Sequence, residues 1–517
     1  MGTLRPFVLF VPMFLFCAAA IASLIDLDGF FAFAKLLNDW ILAHFSTLII
    51  WSVFGFVVTC GAIALSPFGR LKIGGPEAER LLTPWNWFSI TLCTTIATGI
   101  LFWAMAEPVF HLAAPGGRAI EPGGTEAQSF AMVSLFMHWA LSPYAIYTVA
   151  GLAFALSYHN LGKPYSVSGP FGVLIGRAVP KPVSSLLDMS ILMALVLGMA
   201  ASLGAGMLML SGGIANITGL KNGPVLMALV AAMIGAVVLL SAITGLLKGI
   251  RILSDINIKF FFAFAVFVFL FGPWQQILVQ GGSAAVTYVA EFVPRSLFLG
   301  EAAADRTWAI DWTIFYFANW FAWAPVTAMF LGRIARGYSV RAFILVNLVL
   351  PSLFGLLWMS IFGVFAMQVE LASDGMLGAV AAEDGIEAIM FAALATLPLS
   401  EVLVPVLLFL AFISYVTAAD SNTEAISQIC NRQDTLPDEM DHKPVLKITW
   451  IILLAMTAWI MVAFSGIDGV RMLSNVGGLP GMIVVIGLQL SLIRMVLQPV
   501  GSGIAAPKPV VQPSALT

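Results

Sequence analysis

Trp312-Thr-Ile-Phe-Tyr-Phe-Ala-Asn-Trp320-Phe-Ala-Trp323-Ala-Pro325-Val-Thr-Ala-Met-Phe330 lies inside a segment, 308–334, that is apolar and long enough to cross a bilayer. Trp320 and Trp323 are three residues apart, so a helix turns both indoles toward one side. Indole faces attract cations, above all quaternary ammonium groups, which offer no N–H for ordinary hydrogen bonding. A paired indole surface at mid-membrane predicts a site for a small onium compound.

The rest of the chain agrees with a membrane setting. Of its 517 residues 60% are hydrophobic and 10% charged, and its mean hydropathy is +0.98. Soluble domains carry roughly 25% charged residues. So few charges cannot clothe a water-facing surface of this size. The net charge of −3 and the lack of a basic run give no footprint for nucleic acid. Cys17, Cys60, Cys93 and Cys430 have no metal-ligand spacing and read as small core residues. Arg5 and the apolar run from Pro6 to Leu24 resemble a signal peptide, but no small-residue cleavage site with a polar mature start follows, so a first transmembrane helix is expected.

Applying a length of about 20 apolar residues per span predicts twelve, at roughly 6–25, 44–66, 87–110, 129–158, 186–213, 223–247, 254–275, 308–334, 341–367, 397–423, 445–465 and 473–498. With the N-terminus inside, the cytoplasmic connections hold Arg5, Arg70, Lys72, Arg80, Lys163, Arg177, Lys181, Lys248, Arg251, Arg333, Arg336, Arg341, Arg432, Lys443, Lys447, Arg494 and Lys508. The opposite side holds Lys35, Arg118, Lys221, Arg295, Arg306 and Arg471. This bias predicts that both termini are cytoplasmic, at a plasma (inner) membrane. The outer connections 284–299 and 385–397 read as interfacial or re-entrant helices, and the tail after Gln498 as unstructured. Gly198, Gly204, Gly206, Gly212 and Gly213 in the fifth span suit close helix packing. Thr94, Thr95, Thr98 and Gly99 in the third suit a helix unwound at mid-membrane.

Further motifs narrow the class. Gly99-Ile-Leu-Phe-Trp-Ala-Met-Ala-Glu-Pro108 resembles the Gly-x-x-Phe-Trp-x-x-x-Glu-Pro signature of the betaine/choline/carnitine transporter (BCCT) family. Phe136-Met-His-Trp-Ala-Leu-Ser-Pro-Tyr-Ala-Ile-Tyr147 is similar to that family's fourth-span aromatic motif. Lys248-Gly-Ile-Arg-Ile-Leu-Ser-Asp-Ile-Asn257, the Trp320/Trp323 stretch, Gly332-Arg-Ile-Ala-Arg-Gly337 and Thr417-Ala-Ala-Asp-Ser421 follow in the family's order. The resemblance implies an all-α integral membrane protein of twelve transmembrane helices. In it two N-terminal helices (1–66) precede two inverted five-helix repeats of the LeuT-like kind (67–280 and 308–499). An interfacial helix (281–307) separates the repeats and a short cytoplasmic tail (500–517) ends the chain. It also implies a homotrimer, alternating access, and a central site between broken third and eighth spans.

By the same resemblance, Trp320 and Trp323 match an aromatic box, and Trp139, Tyr144 and Tyr147 match fourth-span aromatics lining the route to it. Tyr144 stands where the family usually has tryptophan. Asn319 stands where it usually has a third tryptophan, so it either binds an oxygen of the solute or bonds a neighbouring helix. Phe102 and Phe330 match gating positions or are ordinary packing. For ion coupling, by Na+ or H+, Thr95, Ala97 and Gly99 replace a Gly-x-Gly-x-Gly run. Thr417 and Ala418 replace a Thr-Ser pair that helps to hold sodium, and Asn257 aligns with an arginine of sodium-independent relatives. Lys259 is either a fixed cation or a lysine reaching the cytoplasmic interface. Asp420 is expected to pair with Arg333 or Arg336, Glu107 to cap or orient its helix, Asp311 to open the eighth span, and His138 to be a hydrogen-bonded core residue.

Function therefore reads as secondary active uptake of a betaine-like onium solute, with no enzyme chemistry and no cofactor. The alternatives are a same-fold transporter of another zwitterion such as an amino acid, or a sodium-independent exchanger. No Gly-x-x-x-x-Gly-Lys-Ser/Thr loop is present for ATP, and a receptor would need a larger extramembrane domain. An integral-membrane enzyme would need clustered His or Asp ligands, and the sequence spacing suggests none.

Overall fold

In lipid every backbone N–H and C=O must be paired inside the chain. The protein meets this with helices. The computed structural model describes residues 4–95, 99–116, 120–244, 247–300, 302–431 and 443–497, with the backbone alone at 93, 101, 241–258 and 443–444. Among the described residues there are only helices, turns and two isolated bridges, Leu4 to Asn431 and Lys72 to Ser339.

Helix α1 (Pro6–Ile25) and the long α2 (Leu27–Leu65) come first, joined at Asp26, whose carboxylate accepts from the Gly29 amide and caps α2. The expected third span holds α3 (Pro84–Thr95) and α4 (Ile100–Ala113), with Gly99 in a turn just before α4; 96–98, among which Thr98 is expected in an unwound stretch, lie outside the described residues. Then come α5 (Thr125–Trp139), α6 (Leu141–Ala155), α7 (Lys181–Thr218), α8 (Pro224–Thr244) and α9 (Leu247–Phe271). α10 (Trp274–Ala290) turns away from the last part of α9 by 107°, so the interfacial helix starts earlier than the 284 expected.

The eighth span corrects an expectation. It is not unwound: helix Ala303–Ala309 passes through a π turn, Ile310–Ile314, straight into α11 (Phe315–Ile334), and Pro325 is carried inside α11. α12 (Leu350–Ala372) is entered through another π turn, Leu345–Val349, and α13 (Ser400–Cys430) follows the short helices Met376–Asp384 and Ala388–Ala395. α14 (Lys443–Leu497) contains the last two expected spans, separated by a kink at Gly466, whose φ of 54° and ψ of −135° suit glycine alone. Among the described residues eight helices are long and apolar enough to cross a membrane, or nine with the bent pair.

The fifth-span glycines do what packing predicts. α7 runs unbroken, and a Cβ on Gly198 would stand 2.8 Å from the Ala322 Cβ of α11. Asp188 sits inside α7 and is paired with Arg5 at 2.5 Å, tying the N-terminus down. Asp420 pairs with Lys447 (3.4 Å), which also reaches Glu424 (2.9 Å), and not with the arginines at 333 and 336. That pairing joins α13 to α14, a contact that helix order alone did not reveal.

The break between α5 and α6 has a local cause. Pro143 has no N–H for the Trp139 carbonyl four residues earlier, and its ring would strike that carbonyl in a continuous helix. The chain bends at Ala140 (φ −118°, ψ −119°), and Gly355 of α12 packs against the freed carbonyl, where an added Cβ would lie 2.5 Å from the oxygen. Gly355→Ala is therefore expected to cost about 1–3 kcal/mol, read as a lower unfolding midpoint in detergent. Gly282→Ala, where nothing lies within 4 Å, should leave the midpoint unchanged. Equal midpoints for Gly355→Ala and the parent would refute this account of the bend.

Candidate functional site

Trp320 is 2% exposed and lies at the centre of three rings contributed by α5 and α6. Trp139 meets it edge to face at 5.9 Å, Tyr144 at 5.5 Å and Tyr147 at 5.2 Å between centroids. The bend at Ala140 is what lets Trp139 and the two tyrosines approach the same indole. The fold thus brings together four of the residues expected at the substrate site. The Trp320 indole N–H has no hydrogen-bond partner among the described residues, although it is buried. A buried donor without an acceptor is costly.

Trp323 is not part of that ring cluster. Its indole turns to α7 and α13, near Gly198, and lines a cavity of about 20 Å³ with Ser202, Tyr415, Ala418 and Asn422. Three residues along a helix turn a side chain by about 60°, enough here to place the two indoles in neighbouring grooves. The expected single face is thus divided. Asn319 also turns elsewhere: Ser474 of α14 donates to its Oδ1 at 3.3 Å, the interhelical contact that was one of its two readings.

The remaining candidates are scattered. Phe102 is fully buried against Trp103 (4.8 Å), while Phe330 is 37% exposed at the far end of α11. The Thr95 hydroxyl donates to the Thr91 carbonyl (2.9 Å) and that of Thr417 to Ile413 (2.8 Å). Gly99 sits at the start of α4, Ala97 lies outside the described residues, and so does the Asn257 side chain. Lys259 is exposed, the placement expected of a lysine reaching an interface.

Next to the rings lies a cluster that sequence spacing did not suggest. Glu107, His111 and His138 are buried, with one ligand-type atom of each within 4.8 Å of the others. Glu107 does not cap its helix; it accepts from three directions. His138 Nδ1 stands 2.5 Å and His111 Nε2 3.1 Å from its Oε1, and the Trp139 indole donates to Oε2 at 3.0 Å. Trp308 donates to His111 Nδ1 (3.2 Å), so His111 is neutral and carries its proton on Nε2. His138 Nε2 meets the Thr313 hydroxyl at 2.9 Å, the core hydrogen bonding expected of this residue. Two ligands on one zinc stand ~3.3 Å apart in tetrahedral geometry. The 2.5 Å pair therefore fits a hydrogen-bonded network and does not fit a metal site. Asp311 falls within the π turn, after the helix has begun.

Four aromatics, Trp308, Trp312, Tyr316 and Trp320, recur every four residues. Tyr316 stacks on His138 (4.9 Å) and meets Trp139 (5.3 Å) and Trp103 (5.5 Å). The four-residue spacing is visible in the sequence, although the closer Trp320/Trp323 pair masks it. Near the start of the eighth span a cavity of about 660 Å³ is lined by Phe110, Trp312, Glu387 and Arg471.

The sequence finds its counterpart in known proteins. A family model described as BCCT, betaine/carnitine/choline family transporter, matches residues 7–499. The chain belongs to this family. It is 29% identical over 467 residues to a probable glycine betaine transporter of Desulfitobacterium hafniense, covering 89% of this chain and 92% of that protein. It is 30% identical over 468 residues to an ectoine/hydroxyectoine transporter of Virgibacillus pantothenticus, covering 90% and 92%. It is 29% identical over 434 residues to the glycine betaine transporter OpuD of Bacillus subtilis, covering 83% and 82%. The protein is thus a multi-pass membrane transporter of a small molecule and not an enzyme.

Two outcomes follow for this transporter. Glu107→Ala strands two imidazoles and an indole N–H in the interior and should cost on the order of 3–5 kcal/mol; an unfolding midpoint in detergent equal to the parent's would show the network to be dispensable. In the connection before α13, burial pushes the Glu387 carboxyl from 4.5 to about 7. A carboxyl with a raised folded-state value holds its proton longer than the unfolded chain does, so stability falls as pH rises from about 4.5 to about 7. Glu387→Gln should gain on the parent in unfolding midpoint between about pH 5 and pH 8; a pH-independent gap would contradict this.

Proposed function

We propose that the protein is a secondary active importer of a betaine-like zwitterion, an onium group joined to a carboxylate, bound at the rings around Trp320. The observation that carries this reading is the pairing, at one buried point, of aromatic faces with an indole N–H that lacks an acceptor. The faces suit the onium group and the N–H suits an oxygen. Relatives named for glycine betaine and ectoine transport support the same solute class.

The topology proposed is twelve spans at a plasma (inner) membrane with both termini cytoplasmic. It rests on the lysine and arginine bias of the connections. Two inverted five-helix repeats at 67–280 and 308–499, and assembly as a homotrimer, rest on the family resemblance. Alternating access then exposes the Trp320 rings to each side in turn. Trp323 and Ala418, which share a small cavity, belong on the route toward the cytoplasm. For coupling to Na+, the Thr95 and Thr417 hydroxyls already donate to carbonyls, yet their oxygens keep lone pairs for a cation. Ala418 adds none.

The test is uptake of labelled glycine betaine, choline, carnitine and a dimethylsulfonium analogue by proteoliposomes, with and without Na+ and H+ gradients. Loss of a desolvated cation–π contact is worth about 2 kcal/mol, so Trp320→Leu should raise KM for the preferred solute roughly thirtyfold, with Trp320→Phe falling between. A Trp320→Leu protein with parental KM would refute the placement of the site.

A further inference from the structure

The cluster around Glu107 has room for a further proton. The carboxylate accepts at both oxygens, from His138 Nδ1 and His111 Nε2 at one and from the Trp139 indole at the other, so it is ionised and places a negative charge among two neutral imidazoles, all fully buried. In that state the Thr313 hydroxyl donates to His138 Nε2 (2.9 Å) and Trp308 donates to His111 Nδ1 (3.2 Å). The two partners differ in kind. A hydroxyl donates or accepts, whereas an indole N–H only donates. A proton added at His138 Nε2 turns the Thr313 bond round and keeps it. A proton added at His111 Nδ1 sets two donors against each other. Tyr316 also stacks on the His138 ring at 4.9 Å and 23°, where an imidazolium gains from the aromatic face. Two arginines stand on the His111 side, Arg471 over Trp312 and Arg295 over Phe130, and both of those rings meet His111. Of the other ionisable groups on the elements packed here, Tyr144 of α6 lies against Trp320, and Tyr288 of α10 accepts from the Leu141 amide. Glu370 of α12 accepts from the Leu377 and Gly378 amides, Glu387 from Asn222, and Asp311 precedes Thr313 in the π turn.

We propose that His138, held by Glu107, binds a coupling proton, one for each solute carried. This rests on the importer reading given above and gives its driving ion a place in the structure. When the eighth span parts from α4 and α5, the Thr313 and Trp308 bonds are lost and His138 Nε2 presents a free lone pair to the opened route. A proton from water forms a new N–H bond there. No covalent bond in the protein breaks, and the network passes from a net anion to a neutral ion pair. The span closes again on the protonated site because the Thr313 oxygen accepts. A neutral network also costs less to seal from water than an uncompensated charge does. When the span next opens, toward the other side of the membrane, the proton returns to water. The network holds a single added proton with every bond kept, which sets the ratio at one proton per solute.

The test uses the full-length protein in proteoliposomes loaded with a pH-sensitive dye, with the voltage clamped by potassium and valinomycin and Na+ equal on both sides. In the parent, added labelled glycine betaine should acidify the lumen as the label enters, a result that requires no variant to fold. An inward gradient of about one pH unit should raise the final accumulation about tenfold, the ratio set by one proton per zwitterion. His138→Gln keeps an amide N–H for Glu107 and an amide oxygen for Thr313 but takes up no proton. It should bring labelled glycine betaine to equal concentrations on the two sides, with no acidification and no response to the pH gradient. His111→Gln should keep the parent's tenfold response. Parent uptake without acidification would overturn the proposal, as would a His138→Gln protein that still accumulates the solute about tenfold. In both of those outcomes the label enters, so the importer reading and the Trp320 site stand while the proton site falls. A parent that takes up no onium solute under any gradient would remove that reading and the proton site with it.

Discussion

A carboxylate that cannot reach water must be met by donors from its own protein. Glu107 is such a group. The three donors that meet it come from α4 and from the last two residues of α5, while Thr313 and Trp308 hold the two imidazoles from the eighth span. That set of bonds fixes the rotation of three helical elements at once, because each side chain has one productive direction. It also fixes Trp139, the same residue that forms one wall around Trp320. The aromatic site therefore inherits its geometry from a polar network one layer away. In a bilayer, where lipid tails are as apolar as leucine and helix association gains little from water exclusion, such a network is a strong source of register.

Much of this was legible in the chain itself. Hydropathy located the helices, and the motif that holds Trp139, Tyr144 and Tyr147 marked them as one aromatic group. What escaped were relations between helices. Trp320 and Trp323 share a side on a helical projection, yet a turn of about 60° places them in different grooves, and nothing in a single segment says where the groove boundary falls. Asp420 and Lys447 are far apart in sequence and find each other because α13 and α14 are neighbours. Glu107 and His111 stand four residues apart, which was visible, but His138 completes the cluster from another helix.

The π turn at Ile310–Ile314 bears on how the eighth span presents its aromatics. Residues spaced by four in an α-helix drift about 40° per step, so Trp308, Trp312, Tyr316 and Trp320 would spiral off one side. A π turn takes up an extra residue within its turn and sets that drift back where the chain passes Trp312. The result is a run of rings from the cavity where Trp312 lies under Arg471 to the buried rings around Trp320. Tyr316 is the intermediate step, in contact with Trp312 at 6.4 Å and with Trp139 at 5.3 Å.

Spacing of this kind matters for a transporter more than for a receptor. Consecutive rings four residues apart lie about 6 Å along the axis, close to the reach of one cation–π contact. A cation leaving one face can engage the next before the first contact is lost, so no single ring need bind it tightly. Deep binding at any one point would slow release, which a carrier cannot tolerate. The rings nevertheless touch one another edge to face in this conformation, and Tyr316 is 1% exposed, so passage requires the eighth span to part from α4 and α5. The bonds by which Glu107 joins α4 to α5 can travel intact through such a movement, whereas those of Thr313 and Trp308 to the two imidazoles must break.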